Sequence, residues 1–426
     1  MPGRGQRAHN ARGSTTHVPD HAPTQGADIK TQKSERVALS HDEKREGVRS
    51  PRKNQSHRPV NAGSKRQRSH KANRSTVSRH QAPRKSGQNP ARDVDAYAAL
   101  DLGTNNCRLL VAVPQQPGRF RVVDAFSRIV RLGEGLAASG KLSDAAMDRA
   151  VGALKACASK LEGRRVRGVR LIATEACRRA SNGAAFLERV EKEAGLKLEI
   201  IDRETEAHLA VAGCSSLVDR RSSGVVLFDI GGGSSELALL DLSKRRRHDL
   251  APAVISWTSL PVGVVTLSEK HGGGRKVTRP VFEGMVDEVA ALLENFEGRD
   301  ALQAAAERGE IHLLGTSGTV TTLAGIHLKL PRYDRRMVDG TWMRSSEVTQ
   351  MIDQLVDMTF EERVANPCIG RDRADLVLAG CAILVAIQQL WPCPRLRVAD
   401  RGLREGLLTQ MMNRDNAWQK RQPHRR

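Results

Sequence analysis

Two short polar turns in this chain carry residue types suited to holding a phosphate and a metal ion. In the run YAALDLGTNNCRLLVAVP, which begins at Tyr97, two apolar stretches flank the turn at 101–106. The run VVLFDIGGGSSELALLD, which begins at Val225, repeats that pattern, with Asp229 in the place of Asp101 and a glycine two positions on. Each reads as strand, turn, strand. A carboxylate that ends a buried strand can hold a hydrated cation. Glycine next to it lacks a Cβ and tolerates positive φ, so bare amides can face an anion. Gly231, Gly232 and Gly233, followed by the hydroxyls of Ser234 and Ser235, therefore suit a phosphate cradle, and Thr104 and Asn105 are the polar counterparts in the first turn. Asp101 and Asp229, on facing turns, would share one Mg²⁺, because hard cations take oxygen ligands and usually reach phosphate through water. A lone Asp-x-Gly is more often an ordinary hairpin; the internal repeat argues for a site.

The elements between the turns must position them. A helix opened by Ser143, with Met147, Val151, Leu154, Ala158 and Leu161 at steps of four and three, precedes a short strand at 169–173. A helix at 184–194, a strand at 197–201 and a helix over about 204–217 follow, and the alternation predicts an α/β fold. Arg178 falls just after a strand end, where ligands of open α/β sheets gather, and its guanidinium could hold two phosphate oxygens. Arg108 is the stronger candidate, since its strand starts within the site. At the mouth of the helix that links the repeats, Asp202-Arg203-Glu204-Thr205-Glu206 offers a general base. Glu204 and Glu206 cannot share a helix face, so one of them points away, and both also suit the helix dipole as first-turn acids.

The chain has 426 residues, 69 Lys plus Arg against 48 Asp plus Glu, and 3% aromatic residues, enough length for two or three domains. Residues 1–93 alone carry a net charge of +14, with no aromatic residue and no cysteine. Such a segment cannot bury enough surface to offset the entropy of ordering, so 1–94 reads as a disordered basic arm. Its basic pairs would attract RNA or another polyanion weakly and without sequence preference. The short basic stretch 411–426 reads as a tail. The longest apolar run, Leu376 to Ile387, is too short to span a bilayer and suits a buried helix, so no membrane partner is expected. Seven cysteines without a C-x-x-C pair, and no apolar leader, predict reduced thiols in a cytoplasm. No Walker A, G-x-G-x-x-G, H-E-x-x-H or G-x-S-x-G pattern is present, and His271-Gly272-Gly273-Gly274 reads as a flexible turn.

Five segments in order, DLGTNNCRLL, ATEACRRASN, DRETEAHLA, VLFDIGGGSSEL and LLGTSGTVTTLAG, resemble the exopolyphosphatase and guanosine pentaphosphate phosphohydrolase (Ppx/GppA) family of the actin, Hsp70 and sugar-kinase superfold. The resemblance covers about 95–410 and matches a short form without the helical HD-type C-terminal domain. It implies two ribonuclease-H-like domains, at 95–220 and 221–410, around a cleft. It also implies Mg²⁺-dependent release of a terminal phosphate by glutamate-activated water. By the same resemblance Glu206 is that glutamate, and Asp101, Asp229 and Glu236 are the carboxylates of the cation and phosphate site. Gly231 to Ser234 form the cradle, and Arg108 and Arg178 contact substrate phosphates. Gly315, Thr316, Ser317, Gly318 and Thr319 match the loop that contacts the nucleoside in related kinases. The residues do not choose between inorganic polyphosphate and guanosine pentaphosphate; the basic arm tilts the expectation toward polyphosphate. An ATP-dependent kinase on the same superfold and a binding protein without turnover are the other readings, and a homodimer is compatible with all of them.

Overall fold

The computed structural model describes residues 95–243 and 253–418. The basic arm at 1–94 and residues 419–426 of the expected tail lie outside the described residues.

Two sheets share one topology. In the first lobe β1 (Ala96–Leu102), β2 (Asn106–Gln116) and β3 (Arg119–Ile129) form an antiparallel meander, and β4 (Val166–Ala173) and β5 (Glu199–Ile200) add in parallel, giving the order β3-β2-β1-β4-β5. In the second lobe β6 (Gly224–Ile230), β7 (Ser235–Asp241) and β8 (Val254–Leu260) repeat the meander. Strands β9 (Ile311–Thr316) and β11 (Arg395–Ala399) then add in parallel, with β10 (Trp342–Arg344) antiparallel on the outer edge. The fold is therefore α/β with two ribonuclease-H-like lobes. Both central strands, β1 and β6, are buried except at one position, and that position is Asp101 in one and Asp229 in the other. Each strand tolerates a polar side chain only where it reaches the cleft.

Helices cover the sheets where the apolar spacing requires. In α1 (Asp144–Glu162) the Ser143 side chain accepts the Ala146 amide, which satisfies one of the donors left open at a helix start. Its buried face includes Ala150, Val151, Leu154 and Cys157. The expected helix at 184–194 is α2 (Gly183–Ala194). The linking helix α3 (Arg203–Cys214) is capped by Asp202 and gives way to a 3₁₀ turn over Ser215–Leu217, so it is shorter than the spacing suggested. Likewise only Glu199–Ile200 of the expected strand at 197–201 pairs with β4. Beyond β9 comes α4 (Gly318–His327). The long apolar run becomes α5 (Val377–Leu390), buried in the core of the second lobe. No helix among the described residues is long and apolar enough to cross a membrane. All seven cysteines are buried and unpaired.

The last helix, α6 (Leu403–Arg414), corrects one expectation. It follows β11 of the second lobe but packs Leu407, Leu408, Met411 and Met412 against Tyr97 and Leu110 of the first sheet. Residues 411–414 are thus the final turn of a helix, with Met411 and Met412 buried, not the start of a basic tail. Tyr97 Oη donates to Asp415 at 3.1 Å just beyond it. Helices α3 and α6 are in backbone contact: a Cβ placed on Gly213 would lie 1.9 Å from the Gly402 carbonyl oxygen, and one on Gly406 would lie 2.1 Å from that of Leu209. Only glycine permits that approach.

Candidate active site

A cleft of about 390 Å³ lies between the two sheets. The first hairpin contributes Asp101, Thr104, Asn105 and Arg108, the second Asp229, Gly231, Gly232, Gly233, Ser234 and Glu236, and α3 contributes Glu206. The two acidic hairpins therefore face a common opening. Their register extends the symmetry of the repeat: Asp101 pairs across its hairpin with Arg108, and Asp229 pairs with Glu236 at the matching position. Cross-strand partners share a sheet face, so the first hairpin presents an ion-pair combination and the second presents two acids.

The glycines of the second turn line the cleft and also let the two turns approach each other. None of Gly231, Gly232 and Gly233 has positive φ. A Cβ on Gly232 would stand 2.9 Å from Thr104 Cβ, and one on Gly233 would stand 2.7 Å from Thr104 Oγ1. The missing side chains let the two turns touch, which draws the acidic strand ends toward each other. His271 to Gly274 is also more constrained than a flexible turn. Its three glycines have φ of 87°, 86° and 73°, His271 Nε2 and Glu288 Oε2 are 2.9 Å apart, and the Gly274 carbonyl accepts from Arg363.

Of the two candidate bases, Glu204 is exposed and Glu206 faces the cleft. Arg178 Nη2 donates to Glu206 Oε2 at 3.0 Å and to Glu175 Oε2 at 2.7 Å, and Nη1 donates to the Ile201 carbonyl. Arg178 was expected to hold substrate phosphate. Instead its donors are engaged by these carboxylates and a carbonyl, and it is not among the residues that line the cleft. Burial first, then the charge of Glu236, raises the Glu206 pKa well above the usual carboxylate range, and Arg178 and its hydrogen bond pull it partly back. Glu175 is almost fully buried; burial pushes its pKa up, but hydrogen bonds from Arg203 and Arg178 outweigh this and leave it lowered.

The remaining acids form an undercompensated cluster. Burial raises the pKa of Asp101, with Arg108 and Arg404 opposing. Asp229 is pushed up to about 6, chiefly by burial, with Arg108 opposing and Asp101 reinforcing. Glu236 is pushed up to about 7 by burial and by Asp229, against the hydrogen bonds it receives from Ser234 at 2.7 Å and Ser259 at 2.9 Å. Among the described residues no three acidic, histidine or cysteine side chains converge into a preformed metal cage. The donors nevertheless suit Mg²⁺. They are hard oxygens with excess negative charge, and Asn105 Oδ1 is a buried acceptor with no donor, as a hydrated cation requires. Mg²⁺ keeps several waters and is usually held by one or two carboxylates plus substrate phosphate, which needs no full cage.

In the later loop Thr316, Ser317, Gly318 and Thr319 line the cleft, but Gly315 does not; it packs on Phe228, where a Cβ would lie 2.5 Å from Cζ. Ser317 has φ 81° and donates to the Ile230 carbonyl, and Thr316 donates to that of Arg401 at 2.7 Å. Sequence reading missed Glu175, Tyr333, Arg335, Arg373, Arg404 and Glu405, all of which line the cleft. For the 404–405 pair a signal existed: a glycine and two charges shortly after the end of a strand, where ligands of parallel sheets gather.

Residues 111–415 match the Ppx/GppA phosphatase family. The chain belongs to this family. It is 28% identical over 324 residues to the guanosine-5'-triphosphate,3'-diphosphate pyrophosphatase of Photobacterium profundum, covering 75% of this chain and 59% of that protein. It is 29% identical over 313 residues to the protein of the same name from Aeromonas hydrophila, covering 73% and 58%. The chain thus spans less than three fifths of the length of these curated relatives. Among solved structures, the Ppx/GppA family member of Aquifex aeolicus aligns at 28% identity and a TM-score of 0.59, covering 76% of this chain and 99% of that one. An exopolyphosphatase-like protein aligns at 25% identity and a TM-score of 0.67, with the same coverage.

Proposed function

We propose that this Ppx/GppA protein is a phosphoanhydride hydrolase that releases terminal orthophosphate, and that its substrate is guanosine 5'-triphosphate 3'-diphosphate. The observation that carries the chemistry is Glu206, clamped by Arg178 on one oxygen and open to a cleft lined by both acidic hairpins. With Oε2 taken by the arginine, Oε1 is free to accept a proton from water. A raised pKa suits that task, since a general base works best when its pKa lies near the operating pH. The water oxygen bonds to the terminal phosphorus, the bridging P–O bond breaks, and the electron pair leaves with the bridging oxygen of the shortened substrate. Phosphoryl transfer of this kind asks mainly for alignment and charge neutralisation. Arg108 has no hydrogen-bond partner among the described residues and can meet phosphate oxygens directly. Asp101, Asp229 and Asn105 would hold Mg²⁺, which when bound supplies positive charge at the phosphoryl oxygens.

The choice of substrate rests on relatedness. The curated relatives above carry the name of a guanosine pentaphosphate enzyme, which favours that substrate over the polyphosphate first expected from the basic arm. Phosphate release with Mg²⁺ from guanosine pentaphosphate and from polyphosphates of several lengths, measured in parallel, tests the reading. A higher kcat/KM for the nucleotide is expected. A higher value for polyphosphate reverses the assignment, and ADP formation dependent on a second substrate marks a kinase instead.

A further inference from the structure

Arg404 sits on the first turn of α6, directly after the end of β11, and lines the cleft with Asp101 and Asp229. Its neighbours are all spoken for. Arg401 is paired with Asp339. Glu405 accepts the Gly402 amide at 2.9 Å and the Arg335 guanidinium at 2.6 Å, and Arg335 also reaches the Asp400 carboxylate at 3.3 Å. These contacts fix the start of α6 on both sides of residue 404. Arg404 itself makes no hydrogen bond and no ion pair with any described residue. A guanidinium carries five donors, and those of Arg404 are available to an anion that enters the cleft. Arg108 shares the same cleft and the same lack of partners. Both lie near the carboxylates of Asp101 and Asp229 without hydrogen-bonding to them, so their donors are open to a substrate anion.

The helix pair adds a spatial argument. Contacts of 213 with 402 and of 209 with 406 make α3 and α6 antiparallel. Arg404 is then level with residue 211, five residues and roughly 7.5 Å of helix rise from Glu206. Asp101 lines the same cleft, and the Arg404 charge opposes the rise that burial imposes on its pKa. An in-line displacement needs a base on one side of the phosphorus and charge stabilisation on the other, and Glu206 and Arg404 reach one cleft from two neighbouring helices.

We infer that Arg404 is a catalytic residue of the hydrolysis, donating hydrogen bonds to the bridging oxygen and the phosphate that depart as the terminal P–O bond breaks. The proton lost by water goes to Glu206, Arg404 stays protonated throughout, and its charge offsets the negative charge gathering on the leaving oxygen. The inference rests on the hydrolase reading above.

The test uses the full chain with Mg²⁺ and both candidate substrates, comparing wild type, Arg404→Ala and Arg404→Lys. Removing one preorganised donor typically costs about 10²–10³ in rate, so Arg404→Ala should lose about 10²-fold or more in kcat/KM at an unchanged melting temperature. Arg404→Lys should fall between the two, keeping charge but not the fork. Millimolar guanidinium ion should partly restore Arg404→Ala in a saturable way and leave wild type unaffected. Wild-type turnover by Arg404→Ala overturns the inference. So does a loss that guanidinium does not relieve and that comes with a lowered melting temperature, since it marks a structural role. Absence of phosphate release by wild type from either substrate defeats the hydrolase reading itself, and the two failures are therefore distinct.

Discussion

Arg178 Nη2 donates to Glu206 Oε2 at 3.0 Å while the same nitrogen donates to Glu175 Oε2 at 2.7 Å. One guanidinium thus ties a base candidate on the linking helix to a buried acid at the end of β4. Glu175 is itself held by Arg203, on the first turn of the helix that carries Glu206. The base is oriented by a closed loop of charge and not by packing alone.

Loss of Glu206 tests the centre of the mechanism. General-base assistance is worth about 10²–10⁴ in rate, so Glu206→Gln should lower kcat by that order while KM changes little. Initial-rate phosphate release reads the effect, and near-normal turnover would remove Glu206 from the role.

The Arg178 clamp predicts a pH effect. Arg178 lowers the Glu206 pKa, by charge and by hydrogen bond. In Arg178→Met that restraint is gone, the base pKa rises further, and the acidic limb of the kcat/KM profile should move to higher pH. A limb that stays in place, or moves to lower pH, contradicts the coupling.

Contact between the turns can be measured by a double-mutant cycle. A methyl on Gly233 would meet Thr104 Oγ1 at 2.7 Å and Glu175 Cγ at 3.3 Å. Gly233→Ala should cost about 1–3 kcal/mol by overpacking, and adding Thr104→Ala should recover part of it. Neighbours of this kind couple by about 0.5–3 kcal/mol in denaturation experiments, whereas simple additivity would mean that the turns do not touch.

The acid cluster sets a pH dependence of stability. Asp229 near 6 and Glu236 near 7 lie above their values in an unfolded chain, so the fold binds their protons more tightly. The stability they contribute is fully present below about pH 4 and is lost as pH rises through 6 and 7. In chelator, the melting temperature should fall across that window, and Asp229→Asn should flatten the fall. At pH 8, Mg²⁺ should raise it again by binding only the folded state. A melting temperature indifferent to Mg²⁺ would argue against the metal site.

Local order was legible wherever one segment settles it. The α/β alternation, Ser143 as a helix cap and the buried fate of 376–387 follow from spacing and hydropathy, because burying a regular apolar stripe leaves few alternatives. The paired hairpins were visible as a repeat, and Asp101 and Asp229 were marked as the polar ends of otherwise apolar strands. By contrast the partners of Arg178 could not be read from spacing. Its position after a strand end was right, but a guanidinium serves whichever anion is nearest, and Glu175 and Glu206 reach it first.

What residue order by itself determined is the inventory: two acidic turns, a glycine cradle, a linking helix with two candidate bases, and the family these motifs resemble. Tertiary structure alone decided which glutamate faces the cleft, why the cradle is glycine, and that α6 returns to the first lobe carrying Arg404. The reason is physical. Periodicity reports on neighbours within a few residues, whereas a site between two sheets depends on contacts between positions more than a hundred residues apart, such as 104 with 233. Their proximity comes from packing, and no local pattern records it.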